Sequence, residues 1–343
     1  MRSTSKQKRN QGSVSALRTG MVMGTLAIAL LCIIIVACGA GSAGYSIKEI
    51  LTALMSAENS TIKVVVMKLR LPRIIMAVLV GAALSTSGAL LQAVMRNPLA
   101  DPGTIGVSAG AGTAAITILL IFPGLTMSLP LFAFGGAALA CILIYILAWK
   151  GGIDPVRIIL SGVAINTVLG GYNSLLQLMN SDNLSGVLAF MNGSLSGVTW
   201  IHVRVTFVYT VIGLLLAFLC IRQANALQLG DEMAKNLGIR VSASRICLSG
   251  VSAFLAAATV AEVGMIGFVG LLVPHIARML VGSDYKAMLP VSILLSGCVL
   301  LGADTIGRTI VPGMEIPVGV IMSVIGGPFF LYMLRKRGQF NGG

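Results

Sequence analysis

The amino-acid sequence predicts an all-α polytopic membrane protein with about ten transmembrane helices, and three observations predict it. Of its 343 residues, 56% are hydrophobic and 10% charged, with a mean hydropathy of +0.95, whereas a soluble domain carries roughly 25% charged residues. Residues 74–95, IIMAVLVGAALSTSGALLQAVM, contain no charge, and 104–149 stay uncharged for twice the length of one span, broken only by FPGLTMSLP. Strand-type alternation is absent, and lipid offers no partner to a free N–H or C=O, so segments this apolar must be helices.

At roughly 20 apolar residues per crossing, the expected spans are 21–40, 74–95, 104–121, 130–149, 158–179, 205–221, 246–262, 264–281, 287–304 and 316–334. The first follows basic residues and contains Ile35-Val36-Ala37-Cys38, a pattern like a lipoprotein signal. Nine further spans follow and the segment is long enough to stay as a helix, so it is read as one. The second ends at Asn97-Pro98-Leu99-Ala100-Asp101-Pro102-Gly103, where two prolines within five residues forbid regular helix. That stretch is either a tight turn at the membrane surface or irregular backbone lining a cavity, a gate. The fifth opens after Asp154-Pro155-Val156-Arg157. Small residues recur at four-residue spacing, as Gly81, Ser85, Ala89, then Gly106, Gly110, then Gly319, Ser323, Gly327, the pattern that lets helix backbones touch in lipid. RIILSGVA at 157–164 and RICLSGVS at 245–252 echo each other but are too short to establish a repeat.

Ten spans place both termini on one side. With the N-terminus in the cytoplasm, 17 of the 24 Lys and Arg fall inside and 7 outside, the bias that sets orientation. The net charge of +13 then reflects topology and attraction to anionic membrane lipid rather than nucleic acid. The domain layout is a basic cytoplasmic tail (1–20), a single transmembrane domain (21–335) with a cytoplasmic loop at 226–242, and a cytoplasmic tail (336–343). Six cysteines at 32, 38, 141, 220, 247 and 298 include no CxxC pair, so neither a disulfide frame nor a metal site is expected.

Three polar segments carry the functional candidates. In LQLGDEMAKNLGIRVSASR, Gly230 and Asp231 can start a helix with Asp231 as N-cap and Glu232 in the first turn, and Gly238 can stop it. Leu229, Met233 and Leu237 then share one face, which either lies on the bilayer or docks into a partner's groove. On the outside, Lys68-Leu69-Arg70-Leu71-Pro72-Arg73 precedes the second span; Arg70 and Arg73 are either donors to a partner's carboxylates or interface anchors. In the eighth span Pro274, His275 and Arg278 fall in the inner third. Polar groups in a span suggest function, but His and Arg also suit a helix C-terminus. The reading here is structural, a brace for the neighbouring cytoplasmic loop.

LRLPR, GAALSTSGALLQAVMRNPLADPGTIGVSAGAG, LGDEMAKNLGIRV, GMIGFVGLLVPHIARML, LGADTIGR and EIPVGVIMSVIGGPFFLYML together resemble the FecCD-type permeases, the transmembrane subunits of ABC importers for iron chelates and vitamin B12. The resemblance runs from residue 68 to 335 and implies the type II ABC importer architecture: ten helices per subunit and a second permease subunit (homodimer or heterodimer) around a central pore. It also implies two ABC ATPase subunits below and an extracytoplasmic siderophore-binding protein above. By the same resemblance, residues 229–242 form the coupling helix that docks into the ATPase, through Leu229, Gly230, Asp231, Glu232, Met233, Leu237 and Gly238. Arg70, Arg73 and Arg308 receive acidic residues of the binding protein, although Asp304 and Arg308 can instead pair as i,i+4 neighbours. Asn97, Pro98 and Leu99 lie at the cytoplasmic gate, with Pro155 and Val156 opposite; at those two positions the sequence departs from the small hydroxyl residues of the vitamin B12 type.

The expected function is therefore a bacterial plasma-membrane permease subunit that moves a ferric siderophore inward, with vitamin B12 or haem as alternative cargo. No catalytic residue, metal site or cofactor is expected in the chain. It lacks a GxxxxGK[ST] phosphate loop, so ATP is used by the partner ATPase. An ion-coupled carrier would want ionisable residues at mid-membrane, and a membrane-embedded prenyltransferase would want clustered carboxylates for magnesium; the expected spans supply neither.

Overall fold

A computed structural model describes residues 2–41, 45–55, 60–149, 154–181, 184–311 and 313–338. Along the chain run α1 (Arg2–Gly39), α2 (Ile47–Met55), α3 (Thr61–Val65), α4 (Leu71–Met95), α5 (Val107–Ile121), α6 (Leu129–Ala148), α7 (Pro155–Met179) and α8 (Ser185–Met191). Then come α9 (Trp200–Leu219), α10 (Ile221–Gln228), α11 (Asp231–Asn236), α12 (Val241–Val263), α13 (Val269–Val281), α14 (Tyr285–Gly307) and α15 (Val318–Gly338). No strand occurs among the described residues. Seven helical stretches there are long and apolar enough to cross a membrane, and the shorter apolar helices α5, α13 and α15 supply the remaining three of the ten expected crossings.

Helix boundaries follow local chemistry. Ser60 caps α3 by accepting the Lys63 N–H at 3.3 Å, and the helix continues through a π-turn at Val66–Arg70 into α4. The π-turn lets the Leu71 N–H reach the Val66 carbonyl. Pro72 follows inside this continuous helix without an N–H to donate, and the Met67 carbonyl, five residues earlier, accepts the Trp200 indole N–H at 2.8 Å instead. α1 begins at Arg2, so the basic segment before residue 21 is helical and continuous with the first span. Residues 339–343 of the expected C-terminal tail lie outside the described residues.

α4 is the axis of the bundle. Of its apolar window 83% is buried, against 6% for α1 and 11% for α7, because α9, α12, α13 and α14 all pack on it. Small residues make that packing possible. The Gly81 backbone lies so near α14 that a methyl there would stand 2.8 Å from the Ser296 carbonyl oxygen, and Ser85 donates to the Ser296 hydroxyl at 3.2 Å. A side chain at Gly88 would overlap the Gly270 backbone of α13, and Gly110 and Gly136 hold α5 and α6 together in the same way. The expected small-residue faces thus pack in α4 and at Gly106 and Gly110, whereas in α15 Gly319 packs but Ser323 is exposed. Nothing approaches Gly327, while its neighbour Gly326 meets the Phe268 ring.

The eighth span departs from expectation. α12 stops at Gly264, whose φ of +73° suits glycine and whose Cα faces the Phe190 carbonyl too closely for any side chain. Residues 264–268 are not helical, and α13 starts only at Val269. Irregular backbone inside a membrane must find partners within the protein. It does so here: the Met265 N–H donates to the Phe190 carbonyl at 2.9 Å, Ser194 N–H to Val263 at 2.8 Å, and Gly319 N–H to Gly193 at 3.2 Å.

Candidate functional site

Polar residues interrupt the apolar bundle at three levels: near the start of α4, at α10–α11, and midway between them. The middle level begins where α4 ends. Arg96 caps it in the left-handed conformation, φ 50° and ψ 32°. The Leu99 N–H donates to the Asn97 side-chain oxygen at 3.0 Å, closing a tight turn. The chain does not stay at the membrane surface after that turn; it doubles back beside α4. Asp101 and Pro102 lie against Gly270, next to the Leu84 carbonyl. Leu84 is eleven residues from Met95, about 16 Å along a helix rising 1.5 Å per residue, so Asp101 sits near mid-depth in a core roughly 30 Å thick.

At that depth a cavity of about 450 Å³ is lined by Asp101, Ser108, Asn192, Met265, Gly319 and Ser323, among others. The broken segments frame it: the turn from α4 to α5, the end of α8, the gap between α12 and α13, and the start of α15. Asp101 accepts the Gly103 N–H at 2.9 Å and so caps the short 3-10 turn that leads into α5. From α7, the Asn166 amide donates to the Gly103 carbonyl at 3.2 Å. Pro155 and Val156 open α7 behind the capping carboxylate of Asp154, which accepts the Val156 N–H at 2.9 Å. Sequence reasoning left Asp101 either in a surface turn or on backbone that lines a cavity, and the second course is the one observed; it passed over Ser108 and Asn192. The available signal was the pair of prolines, which requires non-helical backbone and hence a buried or cavity-lining course.

Pro274 and Arg278 are now explained. Pro274 has no N–H, so the Gly270 carbonyl one turn earlier loses its helical donor. Gln92 of α4 supplies the replacement, donating to the Gly270 and Leu271 carbonyls at 3.3 Å each, and Arg278 donates to the Gln92 side-chain oxygen at 3.2 Å. The two residues lock α13 to α4. His275 is half-buried on the same helix.

At the α10–α11 end, Gly230 is the N-cap and Asp231 the first helical residue, one position later than expected for Asp231. Its carboxylate does not cap the helix; it accepts from the Arg245 guanidinium of α12 at 2.8 Å and lies 3.9 Å from Arg96. Glu232 shares the first turn, and Gly238 follows the helix at φ +75°. Leu229, Met233 and Leu237 are 59%, 55% and 52% exposed, so the apolar face of α11 is uncovered in this chain. α10 is tied elsewhere: the Asn225 amide donates to Asp284 at 2.8 Å, and its oxygen accepts the Tyr285 N–H at 3.0 Å. The Tyr285 hydroxyl in turn donates to the Ala89 carbonyl of α4 at 2.6 Å.

At the other end, the three arginines expected to dock a partner are largely engaged within the chain. Arg70 donates to the Cys38 carbonyl and stacks 5.0 Å over the Tyr45 ring. Arg73 grips Asp304 with Nε and Nη2 at 3.0 and 2.9 Å, and donates from Nη1 to Glu315 at 2.8 Å. Arg308 pairs with Asp304 at 3.4 Å as its i,i+4 neighbour and donates to the Ala37 and Ala40 carbonyls. Asp304 is 1% exposed and Glu315 50%. Burial alone would raise the Glu315 carboxyl, but the hydrogen bond and charge of Arg73 hold it below its ordinary range.

A bundle of apolar helices broken around a polar cavity at mid-depth is the membrane part of a transporter. The chain belongs to the FecCD transport family, whose sequence pattern matches residues 27–336. It is 39% identical over 311 residues to the Fe(3+)-citrate import system permease protein YfmE of Bacillus subtilis (strain 168), covering 90% of this chain and 93% of that one. It is 40% identical over 278 residues to the cobalamin import system permease protein BtuC of Halobacterium salinarum (strain ATCC 700922 / JCM 11081 / NRC-1), covering 81% and 75%. A solved structure of a metal-chelate type ABC transporter, in an inward-facing conformation, superposes with a TM-score of 0.80 at 28% identity, covering 92% of this chain and 99% of that one. The family is a transport family, and these relatives are permease subunits of import systems or transporters.

Proposed function

We propose that this chain is the plasma-membrane permease subunit of an ATP-driven importer that carries a ferric siderophore into the cytoplasm. The observation that carries the reading is the mid-depth cavity framed by broken helices, on a chain whose family match spans nearly its whole length. The cavity opens beside α15, and a second permease subunit closes it into a pore. One of two ATPase subunits docks on the exposed face of Leu229, Met233 and Leu237, and its closure against the other is transmitted through Asp231 to α12 and to the end of α4. Asn97 to Leu99 form the gate at that level, with Pro155 and Val156 across from it. An extracytoplasmic binding protein delivers cargo at the arginine end, through Arg70, Arg73 and Arg308. ATP is bound by the partner, and this chain supplies the path.

Vitamin B12 and haem are the alternative cargoes, the first favoured by the similarity to a cobalamin permease. Uptake of labelled ferric hydroxamate, ferric citrate, haem and cobalamin in cells lacking this chain separates them. Loss of a ferric-siderophore signal with cobalamin and haem uptake unchanged is the expected result. Lost cobalamin or haem uptake with normal iron uptake overturns the cargo assignment.

A further inference from the structure

The arginine end poses a problem of access. Arg70 and Arg308 are buried and Arg73 is 12% exposed, yet a docking partner needs a donor it can reach. Asp304 cannot give way, because it serves both Arg73 and Arg308 from a buried position, and removing it would strand two cations. Glu315 differs in each respect. It is half exposed, its ion pair is with Nη1 of Arg73 alone, beside the Ser196 hydroxyl and within the field of Arg308, and it lies on the segment joining α14 to α15.

We propose that Glu315 is a built-in substitute for a partner's carboxylate, holding the limb of Arg73 that Asp304 leaves until an acidic side chain of a docking protein takes its place. The proposal rests on the docking role given above to this end of the molecule, and it names the exchange by which docking proceeds. Swapping one carboxylate for another keeps the charge-assisted hydrogen bond of Arg73 satisfied throughout, so a buried guanidinium is never left bare. Ile310 and Met314, each 60% exposed, give the incoming surface an apolar rim. Glu315 stands three residues before Val318, the first residue of α15, and Gly319 lines the central cavity. Releasing Glu315 therefore loosens the start of the helix that borders the transport path.

The test uses the full chain in lipid nanodiscs at low ionic strength, with a hexaglutamate peptide as the acidic probe. Glu315→Gln should bind the peptide about fivefold more tightly than the parent, equivalent to about 1 kcal/mol, because the internal competitor is gone. Glu49→Gln, which removes another exposed carboxylate, should leave affinity unchanged, and Arg73→Lys in the Glu315→Gln background should weaken binding while retaining the charge. Unchanged or weaker binding by Glu315→Gln overturns the exchange, as does an equal gain from Glu49→Gln. If parent and Glu315→Gln both ignore the peptide, the docking role falls with it. If Arg73→Lys weakens binding but Glu315→Gln does not strengthen it, docking at Arg73 stands and the exchange alone is wrong.

Discussion

Asp304 sets the energetics of the arginine end, because one buried carboxylate neutralises Arg73 and Arg308 together. Asp304→Ala should destabilise the chain by about 3–5 kcal/mol, the usual cost of leaving a buried charge unpaired, read as a large drop in unfolding temperature in detergent. Gln92→Leu should cost about 1–3 kcal/mol by orphaning the Gly270 carbonyl, even though the new side chain is apolar; an unchanged unfolding temperature would remove the account of Pro274. Glu315 gives a pH dependence of known sign. Its carboxyl is held below its ordinary value of 4.5, so the Arg73 contact is complete above that value and is lost as pH falls through the lowered one. The protection factors of the amides of residues 315, 316, 318 and 319 should be constant from pH 5 to 8 and fall only in more acidic buffer. At this scale the sequence revealed residue types but not partners. Asp304–Arg308 was visible as an i,i+4 pair, whereas Arg73–Asp304 joins residues 231 positions apart.

Among the helices, α11 carries the sharpest expectation. Its apolar face is uncovered, and Ala234 on the other side is buried, so the helix is packed on one face only. Met233→Asp together with Leu237→Asp should detach the ATPase partner in co-purification while leaving the permease in the membrane; an intact complex would return this face to the lipid surface. The periodicity of Leu229, Met233 and Leu237 made the face legible, and Gly230 and Gly238 marked its ends within one residue. Helix number and spans were legible too, since apolar length and Lys/Arg spacing are local properties. The breaks were not. Gly264 to Phe268 reads as continuous apolar chain, and only the close passage of the Phe190 carbonyl shows why a helix cannot run there. The same holds for Gly326, whose partner Phe268 comes from a segment that sequence spacing assigned to a helix.

For the molecule as a whole, orientation is the claim most open to a direct check. With both termini in the cytoplasm, as we propose from the Lys/Arg bias, a cysteine placed in the C-terminal tail should react with an impermeant maleimide only after cells are opened. Labelling of intact cells would invert the topology, and with it the assignment of the arginine end to the outside. The burial pattern agrees with a membrane setting: α4 is enclosed on nearly all sides, while α1 and α7 present apolar faces outward.

The segments that frame the mid-depth cavity are held by main-chain hydrogen bonds between residues 190–194, 263–265 and 319. Scaffold and surface are consequently separable there: Asn192 and Met265 line the cavity, while the bonds that fasten their segments are made by the main chain. Substitutions at these two positions can therefore reshape the space without disturbing the course of the wall behind them.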